Sequence, residues 1–180
     1  MPEIEIRPAA APDIMYLSEL DHSYTTDHVW QMDFQHLREH GQITVSFRRV
    51  RLPRTIHYEV PRQSKSLIED WQRYAGLLVA TIEDKPIGYA GLLLDSVTGA
   101  VWIADLIVSA PLRRRGIGTA LIYAVSDWAN TRDSRDVVLE IQPRNNPAIN
   151  MALKLGFEFC GYNDFYYPGN EIGLFFRKSL

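Results

Sequence analysis

The chain has 180 residues, enough for one domain (1–180) with a buried core, and 46% hydrophobic with 23% charged residues is the balance of a folding sequence, not a disordered one. A net charge of −3 argues against nucleic acid as the main partner, and a single cysteine, Cys160, excludes an internal disulfide and a cysteine-rich metal site. The start, Met1-Pro2-Glu3-Ile4-Glu5-Ile6, alternates and carries acid, unlike a signal peptide, and no apolar run approaches a membrane span, so a soluble protein of the reducing cytosol is expected, with no membrane partner.

Residues 3–8 alternate as a strand does, and 12–23 read as a helix with Ile14, Leu17 and Leu20 on one face. A second short helix is expected over 27–39. Gln42 to Val50 and Arg54 to Val60 alternate around Leu52-Pro53, which predicts a two-stranded ribbon with a turn there. Residues 64–74 place Leu67, Ile68, Trp71 and Tyr74 at helical spacing. Next comes a meander: strands Gly76–Glu83 and Pro86–Asp95 joined at Asp84-Lys85, then Ala100–Val108 after Thr98-Gly99. Residues 116–130 form the clearest helix, with Ile117, Ala120, Leu121, Ala124, Val125 and Trp128 on one face. Asp136–Gln142 is apolar on both faces and predicts a central strand. A short helix over 146–155 stops at Gly156, and strands follow around Glu158–Tyr162 and Glu171–Arg177. This order describes an α/β fold in the broad sense, a mixed α+β sheet covered by helices.

The chemistry concentrates in the loop Arg113-Arg114-Arg115-Gly116-Ile117-Gly118-Thr119, between a strand and a helix. A helix start leaves its first N–H groups unpaired and carries partial positive charge. Gly116 and Gly118 let the backbone approach a ligand, and the three arginines add donors suited to phosphate oxygens, so the loop reads as an anion site. Two nucleotide patterns fail here. A P-loop requires Gly-Lys-Ser/Thr, whereas Thr119-Ala120 follows Gly118; the dinucleotide fingerprint requires a third glycine, and position 121 is Leu121. A solvated basic turn is the other reading of these residues.

Val108-x-x-x-x-Arg113-x-x-Gly116-x-Gly118 resembles the Arg/Gln-x-x-Gly-x-Gly/Ala signature of the GNAT superfamily of N-acetyltransferases. Asn145-Asn146-Pro147-Ala148-Ile149 with Lys154-Leu155-Gly156-Phe157 resembles its Asn-x-x-Ala … Gly-Phe segment, and the element order fits over nearly the whole chain. The C-terminal half looks most like the streptothricin-acetyltransferase-like branch.

The resemblance implies a mostly antiparallel, splayed sheet flanked by helices, and acetyl-CoA as cosubstrate with no metal. It implies that the pantetheine arm pairs with the backbone of Leu106, Ile107 and Val108. The pyrophosphate would rest on N–H groups from Arg114 to Thr119, Ile117 among them, with Arg113, Arg114 and Arg115 around it, and Asn145 would lie beside the pantetheine. Asn145 or Asn146 serves equally as a helix cap. The Val108 N–H would polarise the thioester carbonyl. An ammonium of pKa about 10.4 must lose a proton before it attacks. Glu140 and Asp105, one on each splayed strand, are the candidate bases; pointing to solvent or pairing with arginine is their other reading. Many members carry a tyrosine, as general acid, where this chain has Ala152. Tyr162, Tyr166 or Tyr167 is a candidate substitute, with Tyr167 the one expected at the catalytic site. Cys160 reads as a buried small apolar residue, not a nucleophile.

For the acceptor, a small-molecule or peptide amine, Asp21 to Trp30 mixes acids and aromatics suited to an ammonium group, or is simply a polar connection. Arg48, Arg49, Arg51 and Arg54 read as a solvated face, a homodimer surface, or a dock for an acidic part of the acceptor. Two functions stand open: an N-acetyltransferase, with a small molecule slightly favoured over a peptide, and a non-catalytic acyl-CoA-binding regulatory module, which the missing tyrosine favours.

Overall fold

The computed structural model describes residues 3–37, 41–59 and 64–180. Its elements run β1 (Glu5–Pro8), α1 (Ala11–Ser18), β2 (Tyr24–Leu37), β3 (Gln42–Tyr58), α2 (Ser64–Asp70), β4 (Gly76–Ile82), β5 (Lys85–Leu94), β6 (Val101–Val108), α3 (Ile117–Asn130), β7 (Asp136–Ile141), α4 (Asn146–Lys154), β8 (Glu158–Tyr167) and β9 (Glu171–Ser179). Seven strands form one sheet in the order β1-β4-β5-β6-β7-β9-β8, in which β6 and β7 pair in parallel and the other neighbours are antiparallel. β2 and β3 form a separate ribbon. The expected mixed, mostly antiparallel sheet with helices is thus the observed fold.

Alternation along the strands divides the core between the two faces. Leu78 and Ala80 of β4 join Leu121, Ile122 and Val125 of α3 and Ile149 of α4 on one side. Leu77 and Val79 of the same strand, with Tyr89 of β5, pack against Ile14 and Leu17 of α1 and Leu67 of α2 on the other. Leu121, Ile122 and Val125 have no exposed surface, and burial of each such side chain contributes about 1.5–3 kcal/mol before entropy is counted.

Two expectations are corrected. The helix expected over 27–39 is strand β2 as far as Leu37; residues 38–40 lie outside the described part. Its partner decides this: Val29, Trp30 and Met32 face Val50, Arg49 and Phe47 across an antiparallel register. Cross-strand packing overrides a weak helical pattern. The expected turn at Leu52-Pro53 is a bulge inside one strand, β3. Thr26 pairs with Ile56 and His28 with Arg51, so residues 52–55 stand against Asp27 alone. A proline has no N–H for a ladder, and a bulge is where a strand tolerates one. The end of that prediction, Val60, also lies outside the described residues.

Smaller shifts follow local chemistry. α1 ends at Ser18, short of residue 23, and Asp21 accepts from the Ser23 N–H at 2.9 Å to make the turn that leads into β2. The helix expected over 64–74 closes as a 3-10 turn, Trp71–Arg73. No helix of the described residues is long and apolar enough to cross a membrane.

Candidate active site

The sheet opens where β6 leaves β7. The two pair only at Val101/Val137, Trp102/Val138 and Ile103/Leu139. Beyond Ile103 the strands part, which matches the expected splay. At the same place β6 carries a bulge: Ile103 faces Leu92, Asp105 faces Gly91, and Ala104 is the extra residue. The bulge reverses the alternation. Val101 and Ile103 point into the α3 side, and after Ala104 it is Leu106 and Val108 that do so. Ile107 packs with the α1–α2 side, and Asp105, two residues before it, shares that face. β7 keeps its phase, with Val137, Leu139 and Ile141 on the α3 side, so Glu140 lies on the opposite face. Asp105 and Glu140 therefore stand on the same face of the sheet, one on each side of the opening.

On the α3 side the opening leads into a groove of about 650 Å³ lined by Leu106, Ile107, Val108, Arg114, Gly116, Gly118, Thr119 and Asn145, among others. Gly116 is the N-cap of α3 with φ +87°, and Arg114 also has positive φ, +65°. The first helical bond runs from the Ala120 N–H to the Gly116 carbonyl, so the N–H groups of Ile117, Gly118 and Thr119 have no partner within the helix. Three such groups at the positive end of a 14-residue helix make a seat for an anion. Ile117 offers only its backbone, since its side chain is buried in the core. Arg115 is exposed and outside the groove lining.

Arg113 and Asn145 sit at the groove with their side chains already engaged. The Arg113 guanidinium donates to the Val108 carbonyl at 2.9 Å, to the Ser23 carbonyl at 2.5 Å and to the Asp21 carbonyl. Asn145 caps α4, its side-chain oxygen accepting from the Ala148 N–H at 3.2 Å. Asn146 is buried and accepts from the Trp30 indole at 3.3 Å, which docks the ribbon on α4.

On the other face each carboxylate is held by a tyrosine that sequence reading did not pair with it. The Tyr166 hydroxyl donates to Glu140, and the Tyr74 hydroxyl donates to Asp105. Each ring lies over a glycine. A Cβ at Gly173 would stand 2.7 Å from the Tyr166 ring, and one at Gly91 would stand 2.7 Å from the Tyr74 ring. Those strand glycines were the available signal, since a glycine inside a strand marks close approach. Burial pushes the Glu140 carboxyl up to about 7, the Tyr166 hydrogen bond lowers it, and the negative Asp105 raises it. Burial also raises the phenols of Tyr74, Tyr166 and Tyr167, keeping them protonated. Phe175 packs edge-on against Trp102 at 5.3 Å and Tyr166 at 5.0 Å, and Tyr167 packs on Tyr166 at 5.1 Å, so the carboxylates lie in an aromatic wall.

The ribbon closes this side. The Tyr58 hydroxyl donates to Glu171 at 3.0 Å, Tyr24 donates to the Gln142 side chain at 2.9 Å, and the Gln142 amide donates to Glu171 at 3.2 Å. Arg144 lies 3.5 Å from Glu171. Sequence reading missed Tyr58 and Glu171, which meet from positions 113 residues apart. The arginine cluster divides: Arg48 pairs with Asp33 at 2.8 Å, Arg49 reaches the groove, and Arg51 and Arg54 are exposed. Of the early acidic–aromatic run, His22, Ser23 and Tyr24 reach the groove, while Asp27 and His28 pair with each other at 2.7 Å. Ala152 is wholly buried in the α3–α4 core, and Cys160 is exposed, not the buried small residue expected. Among the described residues no three His, Cys, Asp or Glu side chains gather as metal ligands would.

The Acetyltransferase (GNAT) family matches residues 42–157, which takes in both splayed strands, the anion seat and α4. The chain belongs to this family. A streptothricin acetyltransferase of Streptomyces lavendulae is 32% identical over 82 residues, 46% of this chain and 43% of that one. This chain spans about two fifths of the length of the first curated relatives it matches. A crystal structure of nourseothricin acetyltransferase superposes with a TM-score of 0.81 at 22% identity, covering 98% of each chain. That of a Bacillus anthracis str. Ames protein in complex with acetyl coenzyme A gives 0.75 at 18% identity, over 99% of this chain and 100% of that one. At these identities the likeness establishes a shared GNAT fold.

Proposed function

We propose that this chain is an acetyl-CoA-dependent N-acetyltransferase that transfers the acetyl group directly, in a ternary complex, to a primary amine of a cationic small molecule. The observation that carries this reading is the pair of faces meeting at the splay: an anion seat on one side, and Glu140 beside Asp105 in an aromatic wall on the other. The acetyl-CoA complex of the B. anthracis neighbour and the streptothricin acetyltransferase relatives support it.

In this reading the pyrophosphate rests on the N–H groups from Arg114 to Thr119, with Arg114 and Arg115 supplying positive charge, and the pantetheine runs along Leu106, Ile107 and Val108 past Asn145. Asp105 and the aromatic rings attract the acceptor ammonium. Glu140 takes its proton. A base with pKa near 7 is half ionised at neutral pH and strong enough to matter, which is the useful compromise. The amine nitrogen then attacks the thioester carbon, the C=O electron pair moves onto oxygen, and the Val108 N–H stabilises that oxyanion. Collapse of the adduct expels the thiolate, whose pKa of about 8.5 makes it a tolerable leaving group. Tyr167, kept protonated by burial, donates a hydrogen bond to the departing sulfur in place of the tyrosine that Ala152 replaces, and the second proton of the attacking nitrogen passes to the thiolate, so that neutral amide and free thiol are released. The reducing cytosol suits the free Cys160.

The test is release of free thiol from acetyl-CoA across a panel of polyamino small molecules, monoamines and peptides. The reading expects polyamino compounds to raise the rate most. Binding of coenzyme A with no amine raising the rate above hydrolysis would mean a non-catalytic acyl-CoA sensor, and peptides outpacing small molecules would move the acceptor class.

A further inference from the structure

The family signature makes Arg113 look like one more phosphate ligand. Its geometry is different. One planar guanidinium gathers three backbone carbonyls from two distant segments: Val108 at the end of β6, and Asp21 and Ser23 in the connection between α1 and β2. The Asp21 carboxylate lies 4.0 Å away and is itself tied down, accepting from the N–H and hydroxyl of Ser23 at 2.9 and 2.8 Å. The turn thereby presents two carbonyls to one fork of donors. Lysine, a point charge on a flexible stem, does not match that arrangement.

The position of the turn gives the contact its meaning. It leads into Tyr24, the first residue of the ribbon, whose ring packs tilted against Tyr58 at 5.2 Å and whose hydroxyl donates to Gln142 beside Glu171. His22 and Ser23 also border the groove that holds the anion seat. The base of the acceptor-side ribbon and the end of the cofactor-side strand are therefore joined through one side chain.

We propose that Arg113 is a positioning residue that fastens the acceptor-side turn Asp21–Tyr24 to the end of β6, so that the two substrate sites keep one relative geometry. This rests on the two-sided site proposed above. Phosphate binding falls to the backbone N–H groups and to Arg114 and Arg115, and Arg113 sets the distance between the sites.

Amide hydrogen exchange over residues 21–24, measured on the wild type, Arg113→Ala and Arg113→Lys with and without coenzyme A, tests this. Charge-assisted hydrogen bonds of this kind stabilise enough that their loss speeds local opening by about fivefold or more. The expected result is that increase in both variants, since Lys cannot span three carbonyls, with the Kd for coenzyme A changed by less than about threefold. Circular dichroism identifies a variant that fails to fold; if Arg113→Ala does, Arg113→Lys carries the test. In turnover the acceptor KM rises about tenfold while the KM for acetyl-CoA stays within about threefold. A smaller rise in exchange, or Lys restoring wild-type behaviour while Ala weakens coenzyme A binding, overturns the proposal. If the transferase reading itself is wrong, the wild type binds coenzyme A and turns over no amine, and the exchange result still stands or falls alone.

Discussion

The two sides of the splay are built in different ways. The cofactor side is mostly backbone: a strand edge, a left-handed Gly116 and three helix-start N–H groups that follow one another in the chain. The acceptor side is mostly side chains brought from afar: Tyr74 to Asp105, Tyr166 to Glu140, Tyr58 to Glu171. In the proposed function the first would bind a group whose charge and shape do not vary, so local geometry would suffice. The second would have to fit a particular amine and tune a proton affinity, through contacts that only the folded chain creates.

Five substitutions sharpen that contrast. Glu140→Gln on the acceptor side should lower kcat by about 10²–10⁴-fold in thiol-release assays, while calorimetry shows coenzyme A binding unchanged. Loss of both would place Glu140 in the cofactor site instead. Gly116→Ala on the cofactor side forces an alanine to φ +87°, at a cost of about 1–2 kcal/mol, and should weaken coenzyme A by roughly tenfold with the acceptor KM little changed.

The same Glu140→Gln variant should also be the more stable protein at alkaline pH. The carboxyl is raised from 4.5 to about 7 by folding, so the wild type keeps its full contribution below pH 4.5 and loses it as pH rises through 7. With the open side of the site screening the charge, the gain is about 1–2 kcal/mol at pH 8 and near zero at pH 4.5, read from denaturant midpoints. Equal stability at both pH values would show Glu140 fully solvated.

The smallest effects are shifts in the acid limb of the rate. Tyr166→Phe removes the hydrogen bond that lowers Glu140 and should move the limb up by about half to one pH unit, while Asp105→Asn removes a negative neighbour and should move it down by a similar amount. Gly173→Ala, which crowds the Tyr166 ring, should move it in the direction of Tyr166→Phe.

Legibility follows the same division. The Arg/Gly loop, α3, α4 with its Asn145 cap and the central β7 could be read because each is set by residues within one turn or one alternation. β2 could not, because its strand state depends on β3, and Leu52-Pro53 looked like a turn until the ladder made it a bulge. Glu140 and Asp105 were visible as carboxylates in apolar strands, but that they share a face depends on the extra residue at Ala104. Arg113 was visible as a charge; that its donors go to Asp21 and Ser23 was not.

The most direct test is the pH dependence of kcat/KM for the best amine found in the wild type, with Glu140→Gln alongside. The account predicts an acid limb governed by a group near pH 7 that disappears with Glu140. An acid limb left intact in Glu140→Gln, at undiminished rate, would contradict it.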